Sequence, residues 1–288
     1  MIKFTSENEK VFCDAEVRGF GVYLDTWALI DLANGSESRR HQVVDSIRQG
    51  GTLLFSWANA MEIGALSGAS SDAIRIFLQS IGPHWFPLEL NPWKVVKKEN
   101  AGLLESAAIS EHFMKAYVEE RISDLSTNGD NLLNLSGAFF DLSTVLNWLQ
   151  ESRERIKTDK EKLDQALKNH IKQARDDYDK DPNSFNYEYP EISYDPRLPA
   201  TFVLNNLMRM LVREAKAFSF KKGDGLDFSH AVLAAAFGSM VTLDKQWQRR
   251  IRELPQSNHL AKVFYRNELD QFVKVLKECL DLRNALKG

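Results

Sequence analysis

A chain of 288 residues, 43% hydrophobic and 27% charged, is long enough for one large domain, or for one domain carrying a substantial insertion, and has ample material for a core. Its net charge of −3 excludes a globally basic nucleic-acid binder, leaving only local basic patches for such a partner. Two distant cysteines, Cys13 and Cys279, exclude a disulfide framework or cysteine zinc site, and neither an export signal nor a membrane-length apolar run is present, so a cytoplasmic protein with no membrane contact is expected.

Phe-Gly-Val-Tyr-Leu at 20–24 reads as a short buried strand ending in Asp25. Helical patterns follow at 27–33 and 39–49, closed by Gly50-Gly51. Residues 52–55 form a second apolar strand, and Ser56 is a good N-cap for a helix from Trp57 to about Leu66 that carries Glu62 in its second turn. Ser70-Ser71-Asp72 predicts the cap of a further helix to about Gln79. Two strand–helix units in close succession predict an α/β fold, a parallel sheet flanked by helices.

From Ala101 to about Asp181 the pattern is helical, with a breaker at 127–130. The evenly mixed charges of 151–180 read as a long solvated or coiled-coil-like helix. A loop over 181–199 carries Phe185, Tyr187, Tyr189 and Tyr194, and a helix from Thr201 to about Phe218 places Leu204, Leu207, Met208, Leu211 and Ala215 on one face. The α/β pattern then resumes. Asp227 caps a small-residue helix at 231–237, 239–243 is a strand, Asp244 starts a helix, 261–265 is another strand, and 268–286 is the last helix. The expected organisation is an α/β domain in two parts, 1–100 and 219–288, interrupted by a mostly helical insertion at 101–218.

Four acids each lie at the end of an apolar run or in the helix opening just after one: Asp25, Glu62, Asp227 and Asp244. In a parallel sheet such ends converge on the carboxyl edge, where α/β folds bind ligands. Taken singly, each Asp reads more simply as a helix cap. Glu62 lies inside its helix between Met61 and Ile63, with Ala58 and Ala65 on its own face, a poor place for a carboxylate unless it meets solvent or a ligand. Taken together, each carboxylate pair at about 5 Å and an effective dielectric near 20 repels by about 3 kcal/mol, which calls for a cation. Oxygen-only ligands select Mg²⁺ or Mn²⁺ over zinc. Such ions polarise phosphoryl oxygens and lower the pKa of bound water, so the chemistry implied is phosphodiester hydrolysis.

The strings Val-Tyr-Leu-Asp-Thr-Trp-Ala-Leu-Ile, Asp-Phe-Ser-His-Ala-Val-Leu-Ala-Ala-Ala and Val-Thr-Leu-Asp, with Glu62 between the first two, resemble the PIN nuclease domain over about 1–90 and 220–288. The resemblance implies a parallel sheet between helices and a Mg²⁺- or Mn²⁺-dependent ribonuclease. It matches Asp25, Glu62, Asp227 and Asp244 to the family's four acids, and Thr242 to a hydroxyl that helps order the site. The insertion at 101–218 has no counterpart in compact PIN toxins. An antitoxin or other protein partner, a homodimer, and a toxin–antitoxin or defence role therefore stay open.

Around the acids, Asp224 reads as a turn residue, Asp31 as an exposed one, and His230 as a helix histidine satisfied by a partner. Backbone phosphates of an RNA, single-stranded if the loop tyrosines stack its bases, need nearby cations, for which Lys221, Lys222 and Lys245 are the leading candidates, with Thr242 beside them. Arg39, Arg40, Arg249, Arg250 and Arg252 are further ones. The rival readings are a non-catalytic RNA- or protein-binding scaffold and a DNA- or structure-specific nuclease. An aspartate-nucleophile phosphatase fits poorly, since Asp25-Thr-Trp lacks a second Asp two residues on.

Overall fold

Val22 and Tyr23 are neighbours in sequence yet belong to different cores, as do Leu53 and Leu54. Side chains alternate across a strand, so a sheet apolar on both faces requires helices on both. A computed structural model, which describes residues 2–7, 10–64, 66–111, 114, 115, 142, 153–214 and 221–286, shows that architecture. The chain opens with β1 (Ile2–Glu7) and β2 (Lys10–Ala15), then runs β3 (Phe20–Tyr23), α1 (Thr26–Asn34), α2 (Glu37–Gly50), β4 (Gly51–Ser56), α3 (Trp57–Gly64), α4 (Ala69–Ile81), β5 (Trp85–Leu88), α5 (Pro92–Asn100) and α6 (Leu104–Ala107). It continues through α7 (Arg153–Lys180), α8 (Pro182–Glu188), α9 (Pro199–Arg213), α10 (Asp224–Phe237), β6 (Met240–Thr242), α11 (Lys245–Glu253), β7 (Lys262–Phe264) and α12 (Leu269–Ala285).

Strands β3 to β7 form one five-stranded sheet in the order β5-β4-β3-β6-β7, and every neighbouring pair is parallel. The chain moves outward from β3 in one direction through β4 and β5, and in the other through β6 and β7. Such a reversal opens a crevice at the carboxyl ends of the central strands, here the ends of β3, β4 and β6. On one face Val22, Leu53 and Phe55 pack with Leu29, Ile47, Phe77 and Phe272. On the other, Tyr23, Leu54, Val241 and Val263 pack with Phe202, Leu207, Leu211 and Phe228. Helix α9 comes from the segment expected to be an insertion, and it shares this second core with the sheet.

The expected α/β fold is present, with several local differences. The antiparallel hairpin β1–β2 and the strand β5 have no counterpart among the expected elements. Helix α4 is preceded by Gly68 with no side-chain cap, so Ser70, Ser71 and Asp72 lie in its first turn rather than before it. Helix α10 starts at Asp224 behind Gly223, so Asp227 is not its cap. Helix α7 is not solvated all round: Leu167, Ile171 and Ala174 form a buried stripe. The aromatic loop contains α8, and Phe185 and Tyr189 are buried. The breaker at 127–130, most of the helical stretch expected around it, and the helix end at Ala215 and Phe218 lie outside the described residues. Among the described residues no helix is long and apolar enough to cross a membrane.

Candidate metal centre

Asp25 lies two residues past the end of β3 and caps α1, its Oδ1 accepting from Thr26 N at 2.7 Å. Its own N–H donates to Thr242 Oγ1 at 2.9 Å, which ties the end of β3 to the end of β6. A second tie runs to the end of β4. Asn59 Nδ2 donates to Leu24 O at 3.1 Å while Asn59 Oδ1 accepts from Ser56 N at 3.0 Å. The start of α3 is thus fixed against the end of β3, and Glu62, one turn further along α3, comes to lie beside Asp25. Glu62 Oε2 accepts from Thr26 Oγ1, and Oε1 pairs with Lys160 Nζ at 2.9 Å.

The third contributor is α10. Asp227 lies in its first turn and His230, three residues on, lies on the same side of the helix. The imidazole is 3% exposed and meets the Tyr23 ring edge-on, with centroids 5.5 Å apart. Its Nδ1 is 3.9 Å from Asp25 Oδ1, beyond hydrogen-bond reach, and neither ring nitrogen has a hydrogen-bond partner. Asp25, Glu62 and His230 each present a ligand atom, and these atoms all lie within 4.8 Å of one another.

Electrostatics join the remaining acids to this trio. Burial, then the charge of Asp25, push Asp227 up to about 8; Glu62 and Asp244 add to the rise, and His230 opposes it. Asp244 is raised by burial and then by Asp25 and Glu62, with Arg266 opposing. It holds the N-cap position of α11, but its side chain makes no cap bond. Burial works against a charge on His230, yet Asp25, Glu62 and Asp227 outweigh it and raise its pKa. Burial would raise Glu62, but His230, Lys160 and the Thr26 hydroxyl together lower it. Tyr23, beneath the cluster, is driven well above the usual phenol value by burial and then by Asp25. The four acids picked from the sequence therefore sense one another as a single group, with the tightest part formed by Asp25, Glu62 and His230.

This donor set can hold a divalent cation. Two carboxylates converge, and an enclosed imidazole with no partner of its own is aimed among them. The set is not oxygen-only as expected, because His230 adds a nitrogen, a donor that zinc and iron also take. Sequence reasoning passed over His230 as a satisfied helix residue, although its place three after Asp227 put it on the same helix face. Lys160 gave no local signal, since it meets Glu62 across 98 residues of chain.

The residues expected to contact substrate fare unevenly. Thr242 is fully buried and holds the Asp25 N–H, so it orders the site and does not face a substrate. Lys221, Lys222 and Lys245 are all exposed, and Lys222 pairs with Glu161 at 2.7 Å on the surface. Arg250 is buried against Glu214 at 2.8 Å and is withdrawn from any phosphate. Arg39 pairs with Asp270, and Arg252 with Glu268 at 3.3 Å. Asp224 accepts from the Lys221 N–H, the turn role expected of it, and Asp31 is paired with Arg266 at 2.8 Å. Tyr189 is buried and accepts from Trp93 Nε1 at 3.1 Å, and Tyr194 stacks on His259, so of the three loop tyrosines only Tyr187, 91% exposed, stands clear for a base. Next to Asp244, a cleft of about 670 Å³ is lined by Lys245, Arg249, Arg252 and Tyr265. Comparison of the chain with protein-family models, with curated proteins and with solved structures found no match, so its chemistry has to be argued from this geometry alone.

Proposed function

We propose that this protein is a Mg²⁺- or Mn²⁺-dependent endoribonuclease, a PIN-like enzyme that hydrolyses RNA phosphodiester bonds at the centre formed by Asp25, Glu62, Asp227 and Asp244, with His230 as a further ligand. The observation that carries this reading is the meeting of Asp25, Glu62 and His230, from three separate stretches of chain, within 4.8 Å at the carboxyl edge of the sheet. Asp25, Glu62 and His230 would hold the divalent ion, which would supply positive charge at the attacked phosphate and lower the pKa of a bound water. Asp25 and Glu62 are the ligands fixed most firmly, through Thr242, Thr26 and Asn59. Asp227 and Asp244, both raised by burial and by the charges of Asp25 and Glu62, would give up their protons as a bound cation offsets that repulsion. Lys245, which follows Asp244 in the chain, lines a cleft with Arg249 and Arg252, and these side chains would meet the phosphate backbone.

Cleavage of mixed single-stranded RNA and DNA, with Mn²⁺, Mg²⁺ or a chelator, tests the proposal. RNA should be cut internally, only with a divalent ion, and Asp25→Asn should abolish cutting while the thermal melt stays that of the folded chain. Cutting in chelator, or full activity in Asp25→Asn, would refute it. One observation favours the scaffold reading: Lys160 already pairs with Glu62 without any ion. RNA binding that is indifferent to chelator, with no cleavage in any arm, would establish that reading instead.

A further inference from the structure

The segment between the two halves of the α/β pattern reaches the centre through one face of α7. Lys160, Asp164 and Lys168 are spaced four apart along this helix and so lie on one side of it. Lys168 Nζ pairs with Asp164 Oδ2 at 2.9 Å and donates to Lys221 O at 3.0 Å. Asp164, 5% exposed, accepts from Gly223 N at 3.0 Å and from Gly225 N at 2.9 Å. It therefore caps α10, whose own N-cap residue has no side chain for the task. The approach is close: a Cβ on Gly225 would stand 2.5 Å from Asp164 O. One turn earlier on α7, Lys160 Nζ reaches Glu62 Oε1 at 2.9 Å, with both side chains largely enclosed. Docked at successive turns on the helix of Asp227 and His230 and on Glu62, α7 holds this ammonium in place through the fold, unlike the mobile ends of a surface ion pair.

We infer that Lys160 is a resident cation of the centre, that it positions the Glu62 carboxylate, and that it restricts the centre to a single divalent ion. The inference rests on the reading of the centre as a metal site. Each Glu62 oxygen already has one donor, Lys160 on Oε1 and Thr26 on Oε2, which leaves a lone-pair direction on each for a metal. A second divalent ion on the Oε1 flank would meet an ammonium at hydrogen-bond distance from its own ligand. Like charges so placed repel strongly wherever water is partly excluded. The segment between the α/β halves thus supplies the site with a charge that the sheet and its own helices do not.

Calorimetric titration of Mn²⁺ into the full chain tests this in wild type, Lys160→Met and Lys160→Arg, each checked by thermal melt. Wild type and Lys160→Arg should take up one ion. Lys160→Met should take up a second, or bind the first about tenfold more tightly or better. Two ions in wild type overturn the inference whether or not the Met variant folds, as does a folded Met variant indistinguishable from wild type. Absence of Mn²⁺ binding in all three folded proteins removes the metal centre itself and the inference with it, a result distinct from unaltered binding.

Discussion

Removing the Asp164 carboxylate should loosen the helix that carries Asp227 and His230. In Asp164→Ala, the N–H groups of Gly223 and Gly225 lose an ionised acceptor at 3.0 and 2.9 Å, and Lys168, 14% exposed, loses its carboxylate. Hydrogen bonds to charged groups contribute about 1.5–3 kcal/mol each; with water entering the vacated space, a net loss of about 3 kcal/mol follows. At a urea slope of about 3 kcal/mol/M, the unfolding midpoint should fall by about 1 M. Asp164→Asn keeps the volume and one acceptor oxygen, so it should lose about half as much. Acid supplies an independent check. Burial tends to raise the Asp164 pKa, but the N–H groups of Gly223 and Gly225 and the Lys168 ammonium lower it below the ordinary value. A depressed carboxyl contributes stability above its unfolded pKa, about 3.9, and that contribution disappears as pH falls through the lower folded value. The gap between wild type and Asp164→Ala should therefore be constant above about pH 5 and close progressively below about pH 4. Midpoints within about 0.2 M at neutral pH, or a gap unaltered in acid, would refute the claim that α7 caps α10.

Thr242→Val should orphan the buried Asp25 N–H and cost about 1–3 kcal/mol in urea denaturation, with Thr242→Ser recovering most of it, since only the hydroxyl bonds Asp25. Mn²⁺ at about 100 times its dissociation constant should stabilise the wild-type fold by about 2.7 kcal/mol, read as a rise in melting temperature, and Asp25→Asn should lose the rise. His230→Phe keeps the ring against Tyr23 but removes the nitrogens; it should narrow the gap between Mn²⁺ and Mg²⁺ affinities measured by calorimetry, and an unchanged gap would show that the imidazole is no ligand.

Four of the five sheet strands were legible as short, mostly apolar strings, three of them fenced by glycine, serine or aspartate. Trp85–Leu88 escaped because Pro87 argues against a strand. The structure resolves that conflict by placing β5 at the sheet edge, where a missing N–H costs least. The hairpin strands escaped because Lys3, Thr5 and Ser6 break up their apolar positions. The acids were legible because Asp25 and Asp244 stand between a strand and a helix, and Glu62 and Asp227 lie in the first two turns of apolar helices, all local patterns. Asp227 was misread as a cap because Gly223 stops the preceding turn four residues earlier, and glycine at that place shows only in its φ of 98°. Lys160 and Asp164 were illegible for a different reason. Their charges look like those of any solvated helix until partners 98 and 59 residues away are known.

The pairing of β3 with β6 has a consequence for how the chain is made. Thr242 is synthesised 217 residues after the aspartate whose backbone it holds. At about 5–20 residues per second, the nascent chain spends roughly 10–40 s with one side of β3 unpaired, an open apolar strand edge exposed to other chains. A chain that ends before Met240 has three of the five sheet strands and no Thr242 to hold the Asp25 N–H. A cell that makes this protein therefore completes the cluster around Asp25 only near the end of translation, and fragments that stop earlier carry an open strand edge in its place.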